Sequence, residues 1–173
     1  GGGGTFSNEL DILFLVDNSS SMTNNQTKLA NSFNTFISSF VQKGWNYKIA
    51  VATTDAYKIQ FQNLNPGWTD EVYAKFKDGS GQNHSGVFVI TPGTPNPAST
   101  FLTNVKVGVG GTGDERAFSS FIAALGSPVN TGFLRSNSFL AIIILSDEDD
   151  FSDWFEGTTQ NRTTDGRRVS TND

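Results

Sequence analysis

Apolar residues fall into a few segments whose spacing predicts an alternation of strands and helices. Residues 11–17 (DILFLVD) and 139–145 (FLAIIIL) contain consecutive apolar residues, which is typical of strands buried on both faces of a parallel sheet. Between residues 26 and 42 the apolar positions recur at helical spacing, and Gly44 follows as a stop signal. A second strand at residues 47–54 completes a strand–helix–strand unit.

The middle of the chain has a weaker pattern. Residues 55–85 mix aromatic and turn residues without a sustained period, and residues 78–86 have the composition of a loop. A short strand at residues 87–90 is predicted to lie antiparallel beside residues 47–54, at the edge of the sheet. The connection between these two strands is too long for a tight hairpin and should form an insertion near one end of the sheet. We expect its aromatic residues to be exposed and available to a partner; they are Tyr57, Phe61, Trp68, Tyr73 and Phe76.

A Pro-rich bend follows at residues 92–97, and a second amphipathic helix is predicted over residues 114–125, with Asp114 as its N-cap. The apolar side of this helix comprises Ala117, Phe118, Phe121, Ile122 and Leu125. Together the segments predict a doubly wound α/β domain with a mostly parallel sheet, an antiparallel edge strand and helices on both faces. Ligands of such sheets bind beyond the carboxyl ends of the strands, where strand order reverses. If the strands that precede Asp17 and Asp147 are neighbours, both carboxylates face one crevice.

Composition narrows the possible functions. The chain has 173 residues, 36% of them hydrophobic, with fifteen Phe, which fits one packed domain. A net charge of -5 argues against a nucleic-acid surface, which would need a basic face. The absence of Cys excludes disulfides and thiolate metal sites, and no apolar run approaches the roughly 20 residues of a membrane span.

A short pattern of oxygen-bearing side chains follows the first strand. Asp17, Ser19 and Ser21 form an Asp-x-Ser-x-Ser sequence in which one turn can direct a carboxylate and two hydroxyls at one point. Small hard cations such as Mg²⁺ prefer oxygen ligands and leave coordination positions for water or a partner. The same residues could instead form an ordinary helix-capping turn.

Three loops together resemble the von Willebrand factor A domain and its metal-ion-dependent adhesion site. The apolar strand followed by Asp17-x-Ser19-x-Ser21 is similar to the first loop of that family. Residues 110–118, with Gly-Gly-Thr112 ahead of a helix, resemble the second loop, and Ser146-Asp147 resembles the third. The resemblance extends from about residue 11 to residue 150.

The resemblance implies a role for each matching residue. Ser19 and Ser21 would ligate the cation directly, and Asp17 and Asp147 would contact it through hydrogen bonds or water. Thr112 would enter or leave the coordination shell as the site changes state. Mg²⁺ is the expected cation, with Ca²⁺ or Mn²⁺ as alternatives, and the carboxylate of a partner protein's Asp or Glu would complete the shell.

Some acidic residues depart from the family pattern. Glu148 stands where the family usually has Gly, and Asp149 and Asp150 add charge beside the site. These two aspartates either hold a second cation such as Ca²⁺ or form a solvated acidic turn. Glu115 is either a water-mediated contact to the metal or a surface carboxylate of the helix.

The resemblance also bears on domain organisation and location. With Val-Asp-Asn-Ser-x-Ser-Met at residues 16–22 and Leu-Ser-Asp-Glu-Asp-Asp at residues 145–150, the chain is similar to a bacterial exported subgroup. Members of that subgroup often follow a lipid-anchored cysteine and a glycine-rich tether, so residues 1–8 are interpreted as a tether and residues 9–173 as the domain. A cell-surface, outer-membrane or periplasmic location is expected. Residues 157–173 are mostly polar, so the last strands of the family's sheet are expected to be missing, which would leave residues 139–145 as an exposed apolar edge.

The function that follows is a metal-dependent adhesion or protein-binding module, with a scaffold subunit of a cell-envelope assembly as the alternative. A metal-assisted hydrolase is disfavoured, because the phosphoryl-transfer enzymes with a strand-end Asp need a second Asp where Ser19 stands. Nucleophile-elbow and P-loop patterns are absent from the sequence. His84 is the only histidine, lies in a Gly/Ser-rich loop without an evident partner, and is interpreted as a solvated residue.

Overall fold

The computed structural model describes residues 8–18, 26–108 and 116–145, with only the backbone of residues 26–30. In chain order the strands are β1 (Glu9–Val16), β2 (Asn46–Thr53), β3 (Gly79–Ser80), β4 (Asn83–His84), β5 (Val89–Ile90) and β6 (Phe139–Leu145). The α-helices are α1 (Gln26–Gln42), α2 (Pro97–Asn104) and α3 (Ala117–Gly126). Shorter helical turns are the 3₁₀ helix Ala56–Phe61, a π-helical turn at Asp70–Ala74 and a 3₁₀ turn at Pro128–Asn130.

Four strands form a mixed, mostly parallel sheet in the order β5-β2-β1-β6 within the described ranges. β1 is parallel to both neighbours, with Val16 opposite Thr53 on one side and Leu145 on the other. β5 pairs antiparallel with β2, with Ile90 opposite Ile49. The predicted antiparallel edge strand is confirmed, although its paired part is only two residues long.

The core lies on both faces of β1, as its consecutive apolar residues predict. Ile12, Phe14 and Val16 belong to a cluster with residues of α1 and α2, while Leu13 and Leu15 belong to a second cluster with residues of α3. Because successive side chains of a strand point to opposite faces, a run of this kind needs a cover on each side. Helices therefore pack on both faces of the sheet.

Helix α2 was not predicted, since its first residue belongs to the Pro-rich bend. Pro97 occupies the first turn, where a missing N–H removes no intrahelical bond. The helix places Phe101, which is fully buried, against Phe14 and Phe33, with ring centroids 4.7 Å and 3.8 Å away. The Phe33 and Phe101 rings are nearly parallel, at 5°.

The start and the buried side of α3 differ from the prediction. The helix begins at Ala117 with Arg116 at the N-cap position, and Asp114, the predicted cap, lies outside the described residues. Phe118 and Ile122 are exposed (73% and 59%), contrary to the prediction that they share the buried side. The residues of α3 that are buried are Ser120, Ala123 and Ala124. Their small side chains allow the helix to approach its neighbours closely.

The insertion is also more ordered and less exposed than predicted. β3 and β4 form a two-stranded hairpin within the segment interpreted as a loop. Tyr57 and Phe76 are buried, and the other three aromatic residues of the insertion are half-buried, so the expectation of exposed aromatic residues is wrong. Its exposed large apolar residues include Leu64 and Val72.

Strand β6 forms one edge of the sheet as far as the structure describes the chain. Phe139 and Leu140 are 54% and 43% exposed, residues 141–144 are half-buried and Leu145 is buried. Exposure is therefore concentrated at the amino end of the strand, away from the predicted metal residues. The prediction of missing strands concerns residues outside the described ranges.

Candidate metal site at the carboxyl edge of the sheet

The parallel strands of the sheet end together around Asp17. The Asp17 N–H donates to the carbonyl of Leu145 at 2.9 Å, and the Thr54 N–H donates to the carbonyl of Val16 at 3.2 Å. These two bonds extend the sheet by one residue beyond β1. They hold Asp17, which is 2% exposed, between the ends of β2 and β6.

The strand order reverses at β1. The chain passes from β1 through α1 to β2 on one side, and the next parallel strand, β6, pairs with the opposite side of β1. Helices α1 and α3 contribute to clusters on opposite faces. The predicted neighbour relation between the strands that precede Asp17 and Asp147 is thus confirmed, at the place where open α/β sheets bind ligands.

Of the predicted metal residues, the structure describes Asp17. The others lie outside the described residues; they are Ser19, Ser21, Thr112, Asp147, Glu115, Asp149 and Asp150. No group of three or more His, Asp or Glu that could hold a metal occurs within residues 8–18, 26–108 and 116–145. The one described member fits a cation site, because a carboxylate at the carboxyl edge of parallel strands is a hard oxygen donor.

Three polar residues near Asp17 were not predicted as part of the site from the sequence: Asn18, Asp55 and Lys58. Asn18 Nδ2 donates to Asp55 Oδ2 at 2.9 Å, and Lys58 Nζ lies 3.1 Å from Asp55 Oδ1. The side chains of Asp55 and Lys58 are each only 6% exposed. A signal for Asp55 was present: it stands just after the second buried strand, as Asp17 stands just after the first.

The same region is connected to α3. Ser120, fully buried on that helix, donates through Oγ to the carbonyl of Thr54 at 2.6 Å and accepts from the N–H of Tyr57 at 3.2 Å. The guanidinium of Arg116 lies over the rings of Tyr57 and Phe61, 4.9 Å and 5.9 Å from their centroids. The 3₁₀ helix Ala56–Phe61 therefore contacts the start of α3 at several points.

A second lysine, Lys77, is half-buried and feels the charge of Asp55. Burial lowers the pKa of Lys77, while the negative charges of Asp55 and Asp78 act in the opposite direction. Its Nζ donates to the carbonyl of Val72 at 2.7 Å. Every buried side-chain nitrogen and oxygen in the described ranges has a hydrogen-bond partner.

His84 has a partner that the sequence analysis did not identify. Its Nδ1 is 2.7 Å from Asp78 Oδ1, and its Nε2 is 3.2 Å from the carbonyl of Gly81. The hydrogen bond with Asp78 raises the pKa of His84. These contacts close the β3–β4 hairpin on the surface.

Comparisons with known proteins identify no family: no family model, no curated protein and no solved structure matches this chain significantly. Among the described helices, none combines the length and apolar character needed to cross a bilayer.

Proposed function

We propose that this chain is a metal-dependent protein-binding module of the von Willebrand factor A kind rather than an enzyme. A divalent cation, with Mg²⁺ expected and Ca²⁺ or Mn²⁺ as alternatives, is held by Asp17, Ser19, Ser21, Thr112 and Asp147. The cation captures an Asp or Glu carboxylate of a partner protein. One observation carries the proposal: the carboxylate of Asp17 is buried at the reversal of strand order, where a sheet of this class binds its ligand.

The sheet supports the choice of fold within this proposal. Its order β5-β2-β1-β6, with an antiparallel edge strand and helices on both faces, agrees with the doubly wound, Rossmann-like arrangement of the family. Glu115, Asp149 and Asp150 are secondary candidates for contact with a cation. By resemblance we also propose export to a bacterial cell surface or envelope.

The chemistry of the proposed site follows from its oxygen donors. The bound cation supplies an electrophilic centre with an open position for a carboxylate. Direct coordination is short-ranged, so added salt should weaken partner binding much less than chelation does. Binding to a partner is accordingly expected to be lost in EDTA and restored by Mg²⁺.

Calorimetric titration with MgCl₂, MnCl₂ and CaCl₂ tests the site. Asp17→Ala should abolish cation binding and leave the fold intact, because the variant keeps the backbone N–H of residue 17 that donates to the carbonyl of Leu145. Glu9→Ala is the matched control, since Glu9 begins the same strand and lies at its opposite end. Binding should persist in this control.

Two results would contradict the proposal. Unchanged cation affinity in the Asp17→Ala variant would remove Asp17 from the site. A wild-type chain that binds none of Mg²⁺, Mn²⁺ and Ca²⁺ would refute the metal-dependent function altogether.

A further inference from the structure

The ion pair between Asp55 and Lys58 is unusually well enclosed. Both side chains are 6% exposed, and Lys58 Nζ also lies 4.9 Å from the ring centroid of Tyr73 and 5.6 Å from that of Trp68. Burying two charges is costly, and a buried pair often adds no net stability over apolar residues of similar size. Stability alone therefore does not account for this pair.

The pair contacts the residue that lies between Asp17 and Ser19. Asp55 uses Oδ1 for Lys58 and Oδ2 for the side-chain amide of Asn18. Asn18 is 9% exposed, so this hydrogen bond is shielded from water. Lys58 thus orients the Asp55 carboxylate, and the carboxylate restrains Asn18 at the point where the chain leaves the sheet.

A second restraint acts at the other loop of the proposed site. Arg116 directly follows Glu115 and lies over Tyr57 and Phe61 of the 3₁₀ helix Ala56–Phe61. Ser120 joins α3 to the backbone of the same helix through the N–H of Tyr57. Residues that flank both proposed metal-binding loops are therefore attached to one short segment after β2.

We infer that Asp55 is a positioning residue for the cation site, acting through Asn18 and oriented by Lys58. The inference rests on the proposed function and assigns to the segment after β2 the task of holding the loop that begins at Asn18. Removal of a group that orients metal ligands typically lowers metal affinity by about 10- to 100-fold. The same loss is expected here, without loss of the fold.

A mutant cycle in Mg²⁺ affinity tests this role. Asn18→Ala removes the donor, and Asp55→Leu combined with Lys58→Met removes the acceptor while leaving no unpaired buried charge. Each should weaken Mg²⁺ binding by about 10- to 100-fold, and the triple variant should be no weaker than either. Asp55→Asn combined with Lys58→Met keeps an acceptor for Asn18 and should recover most of the affinity.

Arg135→Met is the matched control. It breaks another buried ion pair, between Arg135 and Asp11, whose aspartate lies near the amino end of β1. This variant should lower the melting temperature yet leave the Mg²⁺ dissociation constant unchanged. Water-proton relaxation with Mn²⁺, recorded on the same variants, provides a spectroscopic measure of the bound ion.

The outcomes separate this inference from the proposed function. If the wild-type chain binds Mg²⁺ and Asn18→Ala binds it equally well, the positioning role is wrong and the metal site stands. Additive losses across the cycle, or no recovery with Asp55→Asn, would also overturn the role. A wild-type chain without cation binding overturns the proposed function and this inference with it.

Discussion

The buried carboxylate of Asp11 joins the centre of the sheet to the turn before β6. It is fully buried in β1, where Oδ2 accepts from the backbone N–H of Arg135 at 2.8 Å and from the hydroxyl of Ser138. Oδ1 accepts from Arg135 Nε at 2.9 Å and lies 2.8 Å from Nη2. We predict that Asp11→Ala lowers the free energy of unfolding by about 3–5 kcal/mol, because it leaves the arginine without its buried partner. The lower end is expected, since Nη2 also donates to the carbonyl of Asn46.

Urea and thermal unfolding followed by circular dichroism measure this loss. For a chain of this length about 1 kcal/mol shifts the melting temperature by about 2–4 °C, so a fall of about 6–12 °C is expected. Glu9→Ala is the control, because Glu9 lies 3.5 Å from the same arginine but its side chain is 34% exposed. Exposed pairs contribute less than about 1 kcal/mol. Equal losses in the two variants, or a loss below about 1 kcal/mol for Asp11→Ala, would refute the reasoning.

Two further predictions concern the core and the hairpin. Phe101→Ala should lower the free energy of unfolding by about 3–5 kcal/mol, because its ring is fully buried against two other rings. Phe118→Ala, at a side chain that is 73% exposed, is the control and should change the free energy of unfolding by at most about 0.5 kcal/mol. Similar losses of stability in the two variants would contradict the prediction. NMR titration should give His84, the single histidine, a pKa above the ordinary value of 6.5, and Asp78→Asn should return it towards that value. Because the pKa of His84 is raised in the folded state, the contribution of its contact with Asp78 to hairpin stability is complete below pH 6.5. That contribution is lost as the pH rises through the folded-state pKa. A wild-type pKa at or below 6.5 would contradict the prediction.

The strands of the sheet could be predicted from sequence because their patterns admit few alternatives. A run such as residues 11–16 must be covered on both faces, which requires a central strand with helices on each side. The spacing of apolar residues in α1 and the glycine after it located that helix. The carboxylate of Asp17 followed from the same logic, because a polar residue just after a buried strand lies at the edge of the sheet.

Helix α2 was not predicted, although the sequence contains a signal for it. Helix α2 has apolar residues at positions 98, 101, 102 and 105, which is helical spacing. The neighbouring prolines favoured a bend, yet Pro97 is compatible with a first helical turn. The helical spacing was therefore visible in the sequence, but the prolines were given more weight in the prediction.

What only the tertiary structure decided is the set of contacts between distant residues. The sequence showed an apolar stripe on α3 but could not show that Ser120, Ala123 and Ala124 face the interior, since small residues carry little periodic signal. Likewise, Asp55 is 37 residues from Asn18, and no local pattern reveals that hydrogen bond. The sequence by itself determined which segments must be buried, because burial follows from side-chain chemistry along the chain. The contact partners of the buried polar residues were decided only by packing, because they depend on which strand ends and helix faces the fold brings together.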